Sequence, residues 1–187
     1  MATDKPNDAM IDTLAALLEG KGDKPLYAII DAAANTDLVE RLYADESLEF
    51  ECLLPGDVAP DVFYVAPFIV NLTGKPEFLR WLLSGWRRNW GVYITGRSDF
   101  ESTYRHLRGF ALASDQHGHA ATVRYFDPRV FPILAAHLKP AQSADFFAGI
   151  ESVTMESNSG QTALRYGFDN NALVRTELPL ETRNVGA

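Results

Sequence analysis

The chain has 187 residues, with 17 Lys and Arg against 25 Asp and Glu, for a formal net charge of −8. Apolar residues make up 47% and charged residues 22%, a globular balance that excludes long disorder and suits one domain with a full core. A single cysteine, Cys52, excludes an internal disulfide framework, and an acidic pI near 4.9 argues against a nucleic-acid binder.

A first helix is predicted from Asp8 to Glu19, where Ile11, Leu14, Leu17 and Leu18 share one face and Gly20 ends it. Leu26 to Asp31 reads as a buried strand. Thr36 then caps a short helix carrying Leu38, Val39 and Leu42. Leu48 to Leu54 has strand length, with Pro55-Gly56 as the turn after it. Val62 to Leu72 reads as extended and interrupted by Pro67. The nearly apolar run Phe63 to Leu72 is about half the ~20 residues that a spanning helix needs. A helix from Pro76 to Trp86 and a strand from Trp90 to Thr95 follow. Ser98 and Glu101 have the spacing of a capping box opening a helix to Arg108. Phe110 to Ser114 and Ala120 to Phe126 read as a hairpin around Asp115 to Gly118. Helices are predicted from Arg129 to Leu138 and from Ser143 to Phe147. A last hairpin has arms Ile150 to Glu156 and Gln161 to Phe168. This irregular alternation predicts an α+β fold: one domain with a mixed or antiparallel sheet, flanking helices and a C-terminal β-hairpin.

Acidity is unevenly spread. Residues 1–60 carry 13 acids and 4 bases, residues 61–140 carry 6 acids and 10 bases, and residues 141–187 carry 6 acids and 3 bases. Eight of the ten central bases are arginine, whose planar fork binds carboxylates and stacks on aromatic rings. The stretch either neutralises the acidic N-terminal third or recognises an acidic partner.

Catalytic patterns are missing. Gly20-Lys21-Gly22 completes neither a phosphate-binding loop nor a dinucleotide fingerprint, and no G-x-S-x-G elbow is present. His117 and His119 supply only two ligands, so neither metal nor cofactor is expected. The N-terminus lacks the layout of a signal peptide, which leads to the expectation of a cytoplasmic protein without membrane insertion. Two segments stand out. In Trp86-Arg87-Arg88-Asn89-Trp90-Gly91, two tryptophans bracket two arginines, and Trp86, Arg87 and Arg88 are candidates for gripping a partner, with both arginines pointing outward. His106 and Arg108, with Asp127 and Arg129, read as one structural polar network in which Asp127 caps the following helix. An acid–base role for His106 and Asp127 is the competing reading, but no nucleophile accompanies them.

Several of these residues carry a resemblance. Leu26-Tyr27-Ala28-Ile29-Ile30-Asp31, Ala66-Pro67-Phe68, Trp90-Gly91-Val92, His106-Leu107-Arg108, Tyr125-Phe126-Asp127-Pro128-Arg129-Val130 and Phe146-Phe147 occur in an order that resembles the bacterial type VI secretion adaptor family, over roughly Leu26 to Val153. The chain departs from that pattern at Gly109, where a second arginine is common, and in the order Tyr125-Phe126. The resemblance implies a cytosolic, non-enzymatic chaperone that binds a secreted effector and helps load it onto the spike protein of the secretion tube. It also implies an organisation into an N-terminal helix and linker (1–25), a core domain (26–153) and a short C-terminal hairpin and tail (154–187). A toxin-neutralising immunity protein is the alternative, since a charge of −8 suits a basic toxin.

Overall fold

The structure is a computed structural model that describes residues 5–20, 23–114 and 120–180. Among them are helices α1 (Asp8–Glu19), α2 (Leu38–Ala44), α3 (Pro60–Phe63), α4 (Pro76–Leu83), α5 (Phe100–Arg108), α6 (Phe131–His137) and α7 (Pro140–Phe146). The strands are β1 (Leu26–Asp31), β2 (Phe50–Cys52), β3 (Pro67–Asn71), β4 (Gly91–Gly96), β5 (Leu112–Ser114), β6 (Ala120–Thr122), β7 (Ile150–Glu156), β8 (Thr162–Asp169) and β9 (Ala172–Pro179). Seven strands form one sheet in the order β2-β3-β1-β4-β7-β8-β9, antiparallel at every joint, while β5 and β6 form a separate pair. The fold is α+β in a single domain, as its sequence pattern predicts.

The interior strand β1 is buried along its whole length, because helices cover both faces of the sheet. Side chains alternate across a strand, so its five apolar positions divide between two cores. Leu26, Ala28 and Ile30 pack with Phe68, Val70 and Tyr93 beneath α1, α2 and α4. Tyr27 and Ile29 pack with Ile69, Val92, Ile94, Val153 and Met155 beneath α5, α6 and α7, together with Tyr125, Phe126 and Phe147. Gly91 is required where β4 meets β1: a Cβ there would lie 2.0 Å from the Ile29 carbonyl oxygen.

Local chemistry sets most boundaries. Asn7 caps α1 by accepting from the Met10 N–H at 2.9 Å, and Gly20 ends it at φ 62. The N-cap of α5 is Asp99 rather than Ser98, with its carboxylate accepting from Ser102 N–H at 2.9 Å. At α2 the cap position belongs to Asp37, not Thr36, and carries no side-chain bond. The segment before Pro67 is not extended: Pro60 starts α3, because proline's fixed φ suits a first helical turn. Beyond β8 the chain turns at Asn170 and Asn171, both at positive φ, into an additional strand, β9, that the pattern does not predict. The boundary expected between 153 and 154 therefore falls inside β7, and β8 and β9 extend the same sheet. Helix α1 likewise belongs to the main core through Leu14 and Leu18. The expected hairpin turn at 115–118, with His117 and His119, lies outside the described residues.

Candidate functional site

One end of the sheet gathers two buried acids, Asp31 and Glu156, for which the sequence offers no partner. There the last residue of β1, the first of β4 and the last of β7 lie side by side. Ile30 pairs with Gly91, Asp31 N–H donates to the Trp90 carbonyl at 2.8 Å, and Thr154 pairs with Tyr93 two residues before Glu156. Asp31, Glu156 and the nearby Asp127 are all buried. An ionised carboxylate persists in such a place only when hydrogen-bonded or paired.

Each acid has such partners. Asp31 Oδ1 accepts from Ala33 N–H at 3.0 Å, closing the turn after β1, and Oδ2 accepts from Arg124 Nη2 at 2.7 Å. The same Arg124 nitrogen lies 3.3 Å from Asp127 Oδ2. Arg129 forks onto Asp127, Nε to Oδ1 at 2.9 Å and Nη2 to Oδ2 at 2.7 Å, and its backbone N–H also donates to Oδ1 at 2.9 Å. Burial pushes the Asp127 carboxyl up, but the Arg129 bonds and the charges of Arg129 and Arg124 outweigh it and hold the group below the usual carboxylate range. The Asp127 side chain is 4% exposed, against 48% for Arg124 and 58% for Arg129. The carboxylates are thus inside and the guanidiniums face outward, braced from beneath.

Glu156 is held from the loop between α4 and β4. After α4 the chain continues in tight turns, with Gly85 N–H donating to Leu82 O, Trp86 N–H to Leu83 O and Arg88 N–H to Gly85 O. Arg87 and Asn89 then take positive φ, 78° and 54°, an uncommon conformation for residues with a Cβ. The result turns both their amides onto the Glu156 carboxylate, Arg87 N–H to one oxygen and Asn89 N–H to the other. Even so, burial dominates and pushes the Glu156 carboxyl up to about 7, with the two amides, Arg129 and Arg87 pulling the other way.

The expected partner surface is therefore divided. Trp86 does not offer its face to a partner: the indole is buried in the core, stacks on Tyr93 with ring centroids 6.3 Å apart, and donates Nε1–H to the Gly160 carbonyl at 3.0 Å. Arg87 is half-buried, with its stem against Gly160 and its amide on Glu156. Arg88 is exposed, its guanidinium 5.6 Å from the centroid of the half-buried Trp90 ring. The expected polar network also separates. Asp127 and Arg129 belong together, but His106 Nε2 bonds the Phe146 carbonyl at 2.9 Å and Arg108 lies over the Tyr104 ring at 5.7 Å. Asp127 stabilises the turn entering α6, its carbonyl accepting from Val130 and Phe131, while the N-cap position belongs to Val130. Nothing local in the sequence pairs Arg124 with Asp31. They are 93 residues apart, and only the charged end of an otherwise apolar strand hints at Asp31.

Two further features adjoin the helices. Tyr43 and Tyr64, each 63% exposed, line an open cleft of about 530 Å³ with Thr36, Val39 and Glu40. Residues 37–61 around it contain eight acids and one base. An apolar cavity of about 240 Å³ lies between Phe110, Tyr125, Phe131, Leu134 and Phe146. Cys52 is half-buried, and burial pushes its thiol up, the opposite of what a nucleophile needs. Among the described residues, no group of three or more His, Cys, Asp or Glu is arranged to hold a metal ion, and no helix is long and apolar enough to cross a membrane.

No curated protein and no solved structure matches the chain. A family model does, over residues 26–145, from β1 to α7; it is described as a domain of unknown function, DUF4123. The matched segment contains Asp31, Arg124, Asp127 and Arg129, so the braced arginine cluster lies wholly within it. The chain belongs to the DUF4123 family, which is associated with the loading of type VI secretion effectors.

Proposed function

We propose that this protein is a cytoplasmic, non-enzymatic adaptor that binds a type VI secretion effector and helps load it onto the spike protein of the secretion tube. The observation that carries this reading is the family membership across 26–145, within which buried Asp31 and Asp127 hold Arg124 and Arg129 at the surface. Such a cluster is preorganised to receive carboxylate or carbonyl oxygens, because its guanidiniums are already oriented before a partner arrives. Arg88 adds a further exposed cation, held over the ring of Trp90. The exposed tyrosines Tyr43 and Tyr64, set among acids, supply a second surface of contrasting charge. An adaptor between two partners uses two such surfaces.

Affinity capture with the tagged full-length chain, read by mass spectrometry, is expected to recover an effector and the spike protein. Deleting the gene is expected to abolish that effector's delivery while leaving secretion of the tube itself intact. Unchanged delivery in the deletion strain defeats the proposal. Protection of a toxin-producing cell without any effect on secretion assigns the immunity role instead.

A further inference from the structure

We propose that β9 is a self-association edge, at which two copies of the chain join their sheets by antiparallel pairing about a twofold axis at Thr176. Unpaired sheet edges template further strands, and proteins usually blunt them by shortness, bulges or proline. The β2 edge is three residues long. The β9 edge runs for eight, in unbroken register with β8 from Asp169–Ala172 to Thr162–Pro179, and its proline stands at the last position. Among the described residues, no strand lies beyond it.

The phase of the ladder tells which groups face away from β8. A two-residue turn at Asn170 and Asn171 makes Asp169 and Ala172 a hydrogen-bonded pair, so Ala172, Val174, Thr176 and Leu178 aim their backbone groups at β8. The bond from Leu180 N–H to Gln161 O, 3.1 Å, keeps the same phase. Outward therefore point the N–H and C=O of Leu173, Arg175 and Glu177, and the C=O of Pro179.

Only a few self-pairings use that set. A twofold centred on Arg175 or on Glu177 places like charges opposite each other. Centred on Thr176, it sets Arg175 against the partner's Glu177 and Glu177 against the partner's Arg175, each pair exchanging two backbone bonds. Leu173 N–H then meets the carbonyl of the partner's Pro179, so the residue lacking an N–H serves as an acceptor. Arg175 and Glu177 already pair within one strand, with side chains 50% and 60% exposed, so the joint brings four alternating charges together. On the opposite face, exposed Val174 meets the partner's Leu178 and the two Thr176 side chains are neighbours. Opposite-charge, apolar and Thr–Thr pairs are all favourable across strands. This complementarity selects a second copy rather than an unrelated strand. The joint is small, so association is concentration-dependent rather than obligate.

Sedimentation velocity of the full chain, from low micromolar to near-millimolar concentration, is expected to move from monomer to dimer. Arg175→Glu and Glu177→Arg each set like charges opposite at two symmetric positions and are expected to weaken association at least ~10-fold. The combined swap, R175E with E177R, recreates opposite pairs and is expected to restore affinity to within about threefold. Arg175→Pro removes one outward N–H without touching the ladder to β8 and is expected to abolish the dimer. Melting curves establish that each variant keeps the monomer fold. A chain that stays monomeric throughout, a dimer indifferent to charge reversal, or a swap that does not restore association overturns the proposal.

Discussion

Asp127 is the residue whose removal tests the arginine cluster most directly. Asp127→Ala deletes the bond from the Arg129 backbone amide, worth about 1 kcal/mol for a buried turn. It also deletes the two-pronged contact from the Arg129 side chain and the 3.3 Å approach of Arg124. Those bonds are charge-assisted, but both guanidiniums are about half-exposed and regain water when released, so their loss is discounted to about 1 kcal/mol together. No buried charge is stranded, because Arg124 keeps Asp31. The expected cost is about 2 kcal/mol, or roughly 4–8 °C in melting temperature for a chain of this size. Asp127→Asn keeps an acceptor for the amide while turning an NH₂ toward the guanidiniums, and is expected to lose about half as much. The pH dependence has a definite sign. With its folded pKa below the usual range, Asp127 contributes stability above that range that is lost as pH falls through the folded value. Urea titrations of wild type and both variants at neutral and acid pH measure all of this. A D127A protein within about 0.5 kcal/mol of wild type at neutral pH refutes the reasoning.

Glu156 is expected to act in the opposite sense. Its folded pKa of about 7 lies above the ordinary glutamate value, so its ionisation costs stability on the order of 3 kcal/mol as pH rises from about 4.5 through 7. Thermal melts of Glu156→Gln across that window should be flat where wild type declines, and parallel slopes would remove Glu156 as the cause. Gly91→Ala forces β1 and β4 apart at the Ile29 carbonyl and is expected to cost about 3 kcal/mol or more, seen as loss of soluble folded protein by circular dichroism. Arg88→Glu should leave the melting temperature nearly unchanged, because exposed charges contribute about 0–1 kcal/mol. The same change should weaken a captured effector by about 1–2 kcal/mol in calorimetric titration, and undiminished affinity would move the binding surface elsewhere. Arg87→Glu, by contrast, sets a carboxylate beside Glu156 and is expected to lower the melting temperature.

Elements that depend on near neighbours are legible in the sequence. The periodicity of Ile11, Leu14 and Leu18 placed α1, the apolar run to Asp31 placed β1, and Pro76 and Gly20 marked ends where backbone angles are restricted or freed. The Asp127–Arg129 contact was legible for the same reason, as its partners are two residues apart. β9 is not legible in the sequence because an edge strand exposed on both faces lacks the alternation that marks a half-buried one, although Asn170-Asn171 carries a turn signal. What the tertiary structure alone decided was which distant groups share one end of the sheet. Trp86 reads as a surface aromatic until Gly160 comes to accept its indole N–H across 74 residues. Asp31 reads as the end of a strand until Arg124 reaches it across 93. Glu156 reads only as the end of a hairpin arm until the left-handed turns at Arg87 and Asn89 bring two amides onto it. Local propensity acts over a few residues, whereas burial and ion pairing are properties of positions in space. The register of the antiparallel sheet converts the first into the second.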